Sequence, residues 1–135
     1  MLGPENVKQA ILLIDHGSRR DAANEQLRAL AEHLEHTLRQ GDDAAIVEYA
    51  HMELCEPDIA AGFARCVARG ATSVIAVPCM LSRGRHVTED IPRLLREAAA
   101  ASPEIELGFA APLAEQPSFL DVLREAAARA VVLPR

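Results

Sequence analysis

Aromatic residues are scarce in this sequence, which has no tryptophan, one tyrosine and three phenylalanines among 135 residues. A surface that binds nucleic acid by base stacking therefore has almost nothing from which to be built. The net charge of −6 and the isoelectric point near 5.3 also argue against nucleic acid or an anionic membrane surface as the principal partner. No apolar run approaches the length of about eighteen residues that a membrane span needs, so we expect a cytoplasmic protein.

Cysteine is also rare, and Cys55, Cys66 and Cys79 form no C-x-x-C pair. This excludes a disulfide framework and the usual spacing of an iron–sulfur or zinc motif, so we interpret the three as small buried side chains. Half of the chain is apolar, which is enough for a core without such cross-links. We therefore predict one domain over residues 1–135, in which residues 1–8 form a flexible polar leader.

The apolar residues follow an alternation of short strands and longer amphipathic helices. Predicted strands cover residues 9–14, 45–52, 73–77 and 105–110, and predicted helices cover residues 22–40, 57–69, 91–101 and 119–130. Asp21 is the expected N-cap of the first helix, and a polar loop is expected over residues 79–90. Four such units predict an α/β fold, a three-layer α/β/α sandwich around a four-stranded parallel sheet.

Histidines and a carboxylate follow the predicted strands, at the edge where parallel sheets bind ligands. His16 directly follows the first strand, and Gly17 lets the backbone turn closely around it. In the strand interpretation of residues 45–53, His51 and Glu53 share a face, and His86 arrives from the loop after the third strand. A mixed histidine and carboxylate set suits Fe, Co, Ni or Zn, so these residues predict a divalent-metal site.

A basic rim accompanies these residues: Arg19 and Arg20 after the first strand, Arg83 and Arg85 after the third. Guanidinium groups bind carboxylates and phosphates, so this rim predicts an anionic small molecule as ligand. The simpler interpretations are solvated surface arginines and a solvated loop histidine. His33 and His36, three residues apart in the first predicted helix, have no other ligand type on their face and are assigned to a solvated surface.

Three segments together resemble one family: I-L-L-I-D-H-G-S-R-R from residue 11, A-H-M-E-L-C-E-P-D-I from residue 50 and G-R-H-V-T-E-D-I-P from residue 84. They resemble the small class II chelatases, the sirohydrochlorin chelatase family, from residue 9 to about residue 123. The resemblance implies a chelatase-like domain of flavodoxin-like topology. It also implies insertion of Fe²⁺, Co²⁺ or Ni²⁺ into sirohydrochlorin, a tetrapyrrole rich in carboxylate side chains, with the metal as substrate and no prosthetic group.

By resemblance, the metal-contacting residues of the family match His16, Glu53 and His86, while Ser18 and the basic rim are the expected contacts for the tetrapyrrole. The A-H-M-E and G-R-H segments are most similar to plant and cyanobacterial sirohydrochlorin ferrochelatases, which favours iron. His51 is either a further ligand or a hydrogen-bond partner of one. Larger relatives enclose the ligand with two such domains, so a homodimer is expected.

The same residues are compatible with three other functions. The same ligands would serve a carrier of metal or tetrapyrrole that does not turn over. A phosphate-binding or phosphoryl-transfer enzyme would use His16 with Arg19 and Arg20, although the order H-G-S-R differs from the R-H-G of histidine phosphatases. A purely structural partner domain would leave the ionisable residues at one sheet edge without a purpose.

Overall fold

A computed structural model describes residues 7–41, 43 and 45–135, with every side chain of these except those of Arg85, His86 and Thr88. Strands and helices alternate as predicted. In chain order they are β1 (Gln9–Asp15), α1 (Asp21–Gln40), β2 (Ile46–His51), α2 (Ile59–Ala68), β3 (Ser73–Pro78), α3 (Arg85–Ala99), β4 (Glu106–Phe109) and α4 (Phe119–Ala128). A short 3₁₀ turn, Leu113–Glu115, precedes α4. The predicted α/β class is confirmed.

All neighbouring strands in the sheet are parallel, in the order β2-β1-β3-β4. The chain moves from β1 to β2 in one direction and then returns across β1 to β3 and β4. Right-handed crossovers in opposite directions place their helices on opposite faces, which separates α1 from α2 and α3. The reversal lies between β1 and β3, and ligands bind at the carboxyl ends of the strands at such a point.

The core has two parts, one on each face of the sheet. On the first face, Leu12 and Ile14 pack with Phe63 of α2 and Ile91 of α3. On the opposite face, Leu13 and Val47 pack against the apolar side of α1. Both parts follow from the alternation of side chains along a strand. The helices above and below the sheet make the three-layer arrangement that the sequence predicts.

Helix α3 begins at Arg85, six residues before its predicted start at residue 91. The segment from residue 85 is polar and resembles a loop, yet Val87, Ile91, Leu95 and Ala99 recur at intervals of four and all four are buried. This spacing places them on one face of a helix. Pro92 lies inside the helix rather than in its first turn. The first part of the predicted polar loop is therefore correct, and its second half is helix.

Two predicted helix starts also differ from the structure. Arg20, not Asp21, is the N-cap of α1, and no side chain caps that helix. Helix α2 begins at Ile59 rather than at Pro57, and Asp58 is its N-cap, with a carboxylate that accepts the Ala61 N–H at 2.8 Å. The carboxylate satisfies one of the N–H groups that a helix start leaves without a partner.

Replacing Asp58 with alanine is expected to lower the free energy of unfolding by about 1 kcal/mol, the usual effect of losing a side-chain N-cap. Urea denaturation followed by circular dichroism measures this. Asp58→Asn keeps an acceptor oxygen and is expected to recover most of the loss. Equal destabilisation by both variants would contradict a capping role.

Helix α4 differs from the other three because none of its residues is buried. Leu120, Val122 and Leu123 are each more than half exposed, and so are Val131 and Leu133 beyond the helix. The fourth unit of the alternation therefore has a helix, as predicted, but this helix does not contribute to the core.

At the start of the chain, residues 1–6 of the predicted leader lie outside the described residues. Lys8 exchanges backbone and side-chain hydrogen bonds with Thr72, at 2.8 Å from Lys8 N to Thr72 Oγ1. In the described part of the chain, no helix combines the length and apolar character that a bilayer crossing requires.

Candidate functional site

His16 is the first residue after β1 and is exposed at the carboxyl edge of the sheet. The chain leaves the strand through Gly17, whose φ of +89° lies in the left-handed region that favours glycine. A Cβ on this residue would lie 1.9 Å from the carbonyl oxygen of Glu53, so the loop after β1 passes directly against the loop after β2. The tight turn expected at Gly17 is present.

Two backbone hydrogen bonds join these loops. The Met52 N–H donates to the Asp15 carbonyl at 2.8 Å, and the Glu53 N–H donates to the His16 carbonyl at 3.1 Å. They continue the pairing of β1 with β2 beyond the end of the strands. The backbones of His16 and Glu53 are consequently adjacent.

His51 and Glu53 do not share one exposed face, which corrects the strand interpretation of residues 45–53. Strand β2 ends at His51, and the backbone bends from Met52 onward. His51 is 1% exposed, whereas Glu53 is exposed. The bend breaks the two-residue alternation of a strand, so the imidazole points into the protein while the carboxylate reaches solvent.

The His51 imidazole pairs with Asp15, a residue that sequence reasoning did not select. Nδ1 of His51 lies 2.6 Å from Oδ1 of Asp15, and the same oxygen accepts the Gly17 N–H at 2.9 Å. The only sequence signal for Asp15 was its place beside His16, because a carboxylate at a strand end is ordinarily solvated. Its partner His51 is distant in the chain.

A wide-mouthed pocket of about 430 Å³ opens between the carboxyl ends of β1 and β3, where the strand order reverses. Its lining consists of two chain segments, residues 15–18 and residues 79–82. His16 and Ser18 are therefore pocket residues. Cys79 and Met80 also line it, although sequence reasoning assigned no site role to either. Pairing of β1 with β3 brings these segments together.

Ser18 is held by a residue of α1. Its N–H donates to Oδ1 of Asn24 at 3.0 Å, and Nδ2 of Asn24 donates to the Ser18 carbonyl at 2.8 Å. The Ser18 hydroxyl oxygen accepts the N–H of Arg20 at 3.0 Å. Asn24 thus fixes the pocket-lining loop through two hydrogen bonds, and no local sequence pattern indicated this role.

The predicted basic rim is only partly available for an anion. Arg19 and Arg20 are exposed and form no ion pair within the described residues. Arg83 instead makes a two-pronged pair with Glu115, at 2.6 Å from Nε and 3.0 Å from a terminal nitrogen. Leu113 and Ala114 also donate to carbonyls of Met80 and Leu81, so this pair helps join the loops after β3 and β4.

Arg85 and His86 open α3, but their side chains lie outside the described residues. Among the side chains that are described, no three histidine, cysteine, aspartate or glutamate residues stand close enough to hold a metal ion together. The predicted set of His16, Glu53 and His86 therefore stays a prediction. His33 and His36 are exposed on α1, where the ring of His36 contacts the side chain of Gln40, as their surface assignment requires.

The thiol of Cys79 differs in ionisation from an ordinary cysteine. Burial, reinforced by the nearby Asp15 carboxylate, raises the pKa of Cys79 to about 11. Desolvation and a neighbouring negative charge both disfavour a thiolate. At neutral pH the pocket wall therefore presents a neutral thiol next to His16.

The alkylation rate of Cys79 by iodoacetamide is accordingly expected to keep rising above pH 9, the ordinary value for a thiol, because thiolate is the reactive form. Peptide mass spectrometry over a pH series measures the rate separately at each cysteine. Cys66, which is fully buried and has a pKa raised to about 12 by burial, should stay unmodified and serves as the internal control. A Cys79 rate that reaches its plateau by pH 9 would contradict this prediction.

The chain is thus an α/β protein with an open parallel sheet and a histidine-lined pocket at the reversal of strand order, the place where such sheets bind ligands. The chain belongs to the CbiX family, whose model matches residues 10–130. The resemblance to sirohydrochlorin chelatases is thereby confirmed, because relatives of this chain are sirohydrochlorin ferrochelatases and cobaltochelatases.

Two relatives are similar over most of the chain. The chloroplastic sirohydrochlorin ferrochelatase of Arabidopsis thaliana is 39% identical over 115 residues, which are 85% of this chain and 49% of that protein. A sirohydrochlorin cobaltochelatase of Sulfolobus acidocaldarius is 31% identical over 90% of this chain and 91% of its own length. The chain spans about half the length of several of the curated relatives it matches.

A solved structure has the same fold. The sirohydrochlorin chelatase SirB of Bacillus subtilis subspecies spizizenii, crystallised in complex with cobalt, superposes with a TM-score of 0.74 and is 31% identical. The match covers 90% of this chain and 50% of that chain. The α/β architecture is therefore that of a sirohydrochlorin chelatase domain.

Proposed function

We propose that this protein inserts a divalent metal into sirohydrochlorin, with Fe²⁺ favoured and Co²⁺ or Ni²⁺ as alternatives. The observation that carries the proposal is the exposed His16, which stands at the mouth of the pocket beside Glu53 in a chain of the CbiX family. The relatives named for this activity support it. Iron is favoured by the A-H-M-E segment that contains His51, which is most similar to plant and cyanobacterial ferrochelatases.

Imidazole and carboxylate groups explain how such a site handles the metal ion. Imidazole nitrogens of His16 and His86, with an oxygen of Glu53, would form a mixed set that holds Fe²⁺ or Co²⁺ less tightly than a thiolate site does. Two pyrrole N–H protons must leave the macrocycle as the metal enters. An imidazole has one nitrogen lone pair for either a metal or a proton, so His16 and His86 are proposed to take up these protons as they release the metal to the macrocycle.

The remaining rim residues are proposed to hold the carboxylates of the macrocycle. Arg19, Arg20 and Arg85 are the candidates, together with Ser18, whereas the guanidinium of Arg83 already has Glu115 as partner. An anionic substrate also explains why an acidic protein concentrates arginines at this edge.

Replacing Arg19 and Arg20 with alanine is expected to raise the KM for sirohydrochlorin about tenfold and to leave kcat within about twofold, since lost uniform binding changes KM alone. Steady-state kinetics at two salt concentrations measures both constants. Arg93→Ala, on α3, removes a guanidinium paired with Glu97 and serves as control. An unchanged KM in the double variant would remove these two arginines from the substrate site.

The proposed activity is tested by anaerobic incubation with Fe²⁺ or Co²⁺ and sirohydrochlorin, followed by absorbance spectroscopy. Enzyme is kept at one tenth of the substrate concentration or less. Several turnovers per protein are expected. Product formation limited to one equivalent would indicate a carrier, and absence of product with either metal, or with Ni²⁺, would contradict the proposal.

We also propose that the protein acts as a homodimer in the cytoplasm. One sheet edge supplies a single wall for a flat macrocycle, and the apolar side chains of α4 are left exposed. A second copy could cover these apolar side chains, because large exposed apolar surfaces are often interaction sites. Sedimentation at assay concentration measures the state, and an active monomer would contradict the dimer.

A further inference from the structure

The loop that carries His16 is tied to the rest of the protein through the Asp15 side chain. One oxygen, Oδ1, accepts two donors: the N–H of Gly17 at 2.9 Å and Nδ1 of His51 at 2.6 Å. The carboxylate thus bridges the residue after His16 to the end of β2. Because Nδ1 donates to this carboxylate, the pair also specifies the His51 tautomer that carries its proton on Nδ1.

His51 is a rigid support for this contact. Its ring is 1% exposed, lies 5.9 Å from the ring of Tyr49 in an edge-on arrangement, and follows a backbone N–H that donates to the Pro57 carbonyl at 2.8 Å. Burial and these contacts restrict the movement of the imidazole. A hydrogen bond to such a group restrains its acceptor more than a bond to a mobile surface side chain does.

His51 is buried behind Asp15 rather than in the pocket. Asp15 and His16 are lining residues of the pocket, whereas His51 is not. A carboxylate that pairs with a histidine nitrogen often orients a metal-bound ring. In this protein the roles are exchanged. The buried His51 orients the Asp15 carboxylate, and that carboxylate holds the loop that carries the exposed His16.

We propose that Asp15 and His51 are positioning residues that act as one unit and hold the His16 loop against Glu53 in the geometry that binds metal. This inference rests on the proposed function. The two backbone hydrogen bonds from Met52 and Glu53 align the loops after β1 and β2. The Asp15 carboxylate fixes the turn at Gly17 by accepting its N–H. Without the hydrogen bonds that Asp15 accepts, His16 and Glu53 would remain near each other, but their relative orientation would be less well fixed.

Co²⁺ binding to the full chain, without tetrapyrrole, tests this directly. Isothermal titration calorimetry gives the affinity, and the visible absorption of bound Co²⁺ reports the coordination geometry. Asp15→Ala and His51→Ala are each expected to weaken binding about tenfold to 100-fold, the usual range for groups that orient metal ligands. The double variant is expected to be no weaker than the weaker single variant, because residues that act as one unit are not additive.

Asparagine variants separate positioning from direct ligation. Asp15→Asn keeps an amide oxygen for the Gly17 and His51 donors, and His51→Asn keeps a short-chain donor where Nδ1 stands. Both are expected to restore affinity and the cobalt spectrum to near those of the wild type. Asp58→Ala controls for stability alone, since it removes the cap of α2 and should leave Co²⁺ affinity unchanged.

Each outcome decides between the two proposals. If His16→Ala binds Co²⁺ as tightly as the wild type, or the wild type does not bind it, the proposed site fails and this inference fails with it. If His16→Ala weakens binding but Asp15→Ala and His51→Ala stay within twofold of the wild type, only the positioning role is overturned. Equal losses in Asp15→Asn and Asp15→Ala would also overturn it, because they would make Asp15 a ligand.

Discussion

His16→Ala is expected to lower the rate of metal insertion by about 100-fold or more, the range over which a positioned proton acceptor contributes. The side chain is exposed, so its removal leaves the core intact. The Gly17 turn and the backbone hydrogen bond from Glu53 do not involve the imidazole and should persist. The loss would therefore be one of chemistry and metal binding rather than of folding.

Anaerobic insertion assays with purified protein measure this effect, and urea denaturation confirms that the variant folds. His33→Ala is a suitable control, because this histidine is equally exposed but lies on α1. It should retain wild-type rates. Activity in His16→Ala within a few-fold of the wild type would remove His16 from the proposed metal set.

Gly17→Ala is expected to lower the free energy of unfolding by more than about 2 kcal/mol, because two costs combine. A left-handed backbone at an L-residue costs roughly 1–2 kcal/mol. The new Cβ would also lie 1.9 Å from the Glu53 carbonyl oxygen, a contact that requires one loop to move. Displacement of that loop should abolish most of the activity as well.

Urea denaturation with a fluorescence or circular dichroism readout measures the stability loss. Gly41→Ala is the control, because Gly41 has a negative φ and a Cβ there would meet its nearest neighbour at 3.9 Å. Its stability should change by less than about 1 kcal/mol. A Gly17→Ala protein with wild-type stability would show that the two loops are not in close contact.

Much of the fold could be predicted from hydrophobic periodicity. Apolar runs such as the one ending at Ile14, and repeated apolar positions such as Leu27 and Ala31, distinguish buried strands from amphipathic helices without any long-range information. The parallel sheet and the separation of helices to two faces then follow from chain direction and handedness. The predicted start of α3 was wrong, because most residues around Val87 are polar and, among the described side chains, only one position per turn is buried there.

The candidate site was predictable to a lesser extent. His16 and Glu53 could be selected because each follows a strand whose end is readable in the chain, and their backbones prove to be adjacent. The common face assigned to His51 and Glu53 was wrong, because the backbone leaves the strand after His51 at a bend that the residue types do not show. Cys79 entered the pocket only through the pairing of β1 with β3.

The amino-acid sequence alone was therefore sufficient to predict the order of strands and helices, the edge of the sheet where the candidate site lies, and the types of residue found there. These depend on local periodicity and on where each strand stops. The partners of those residues depend on register between distant strands, which sets Asp15 beside His51 across 36 positions. The pairing of Asp15 with His51 and that of Arg83 with Glu115 therefore form only in the folded protein, where residues remote in sequence come within hydrogen-bond distance.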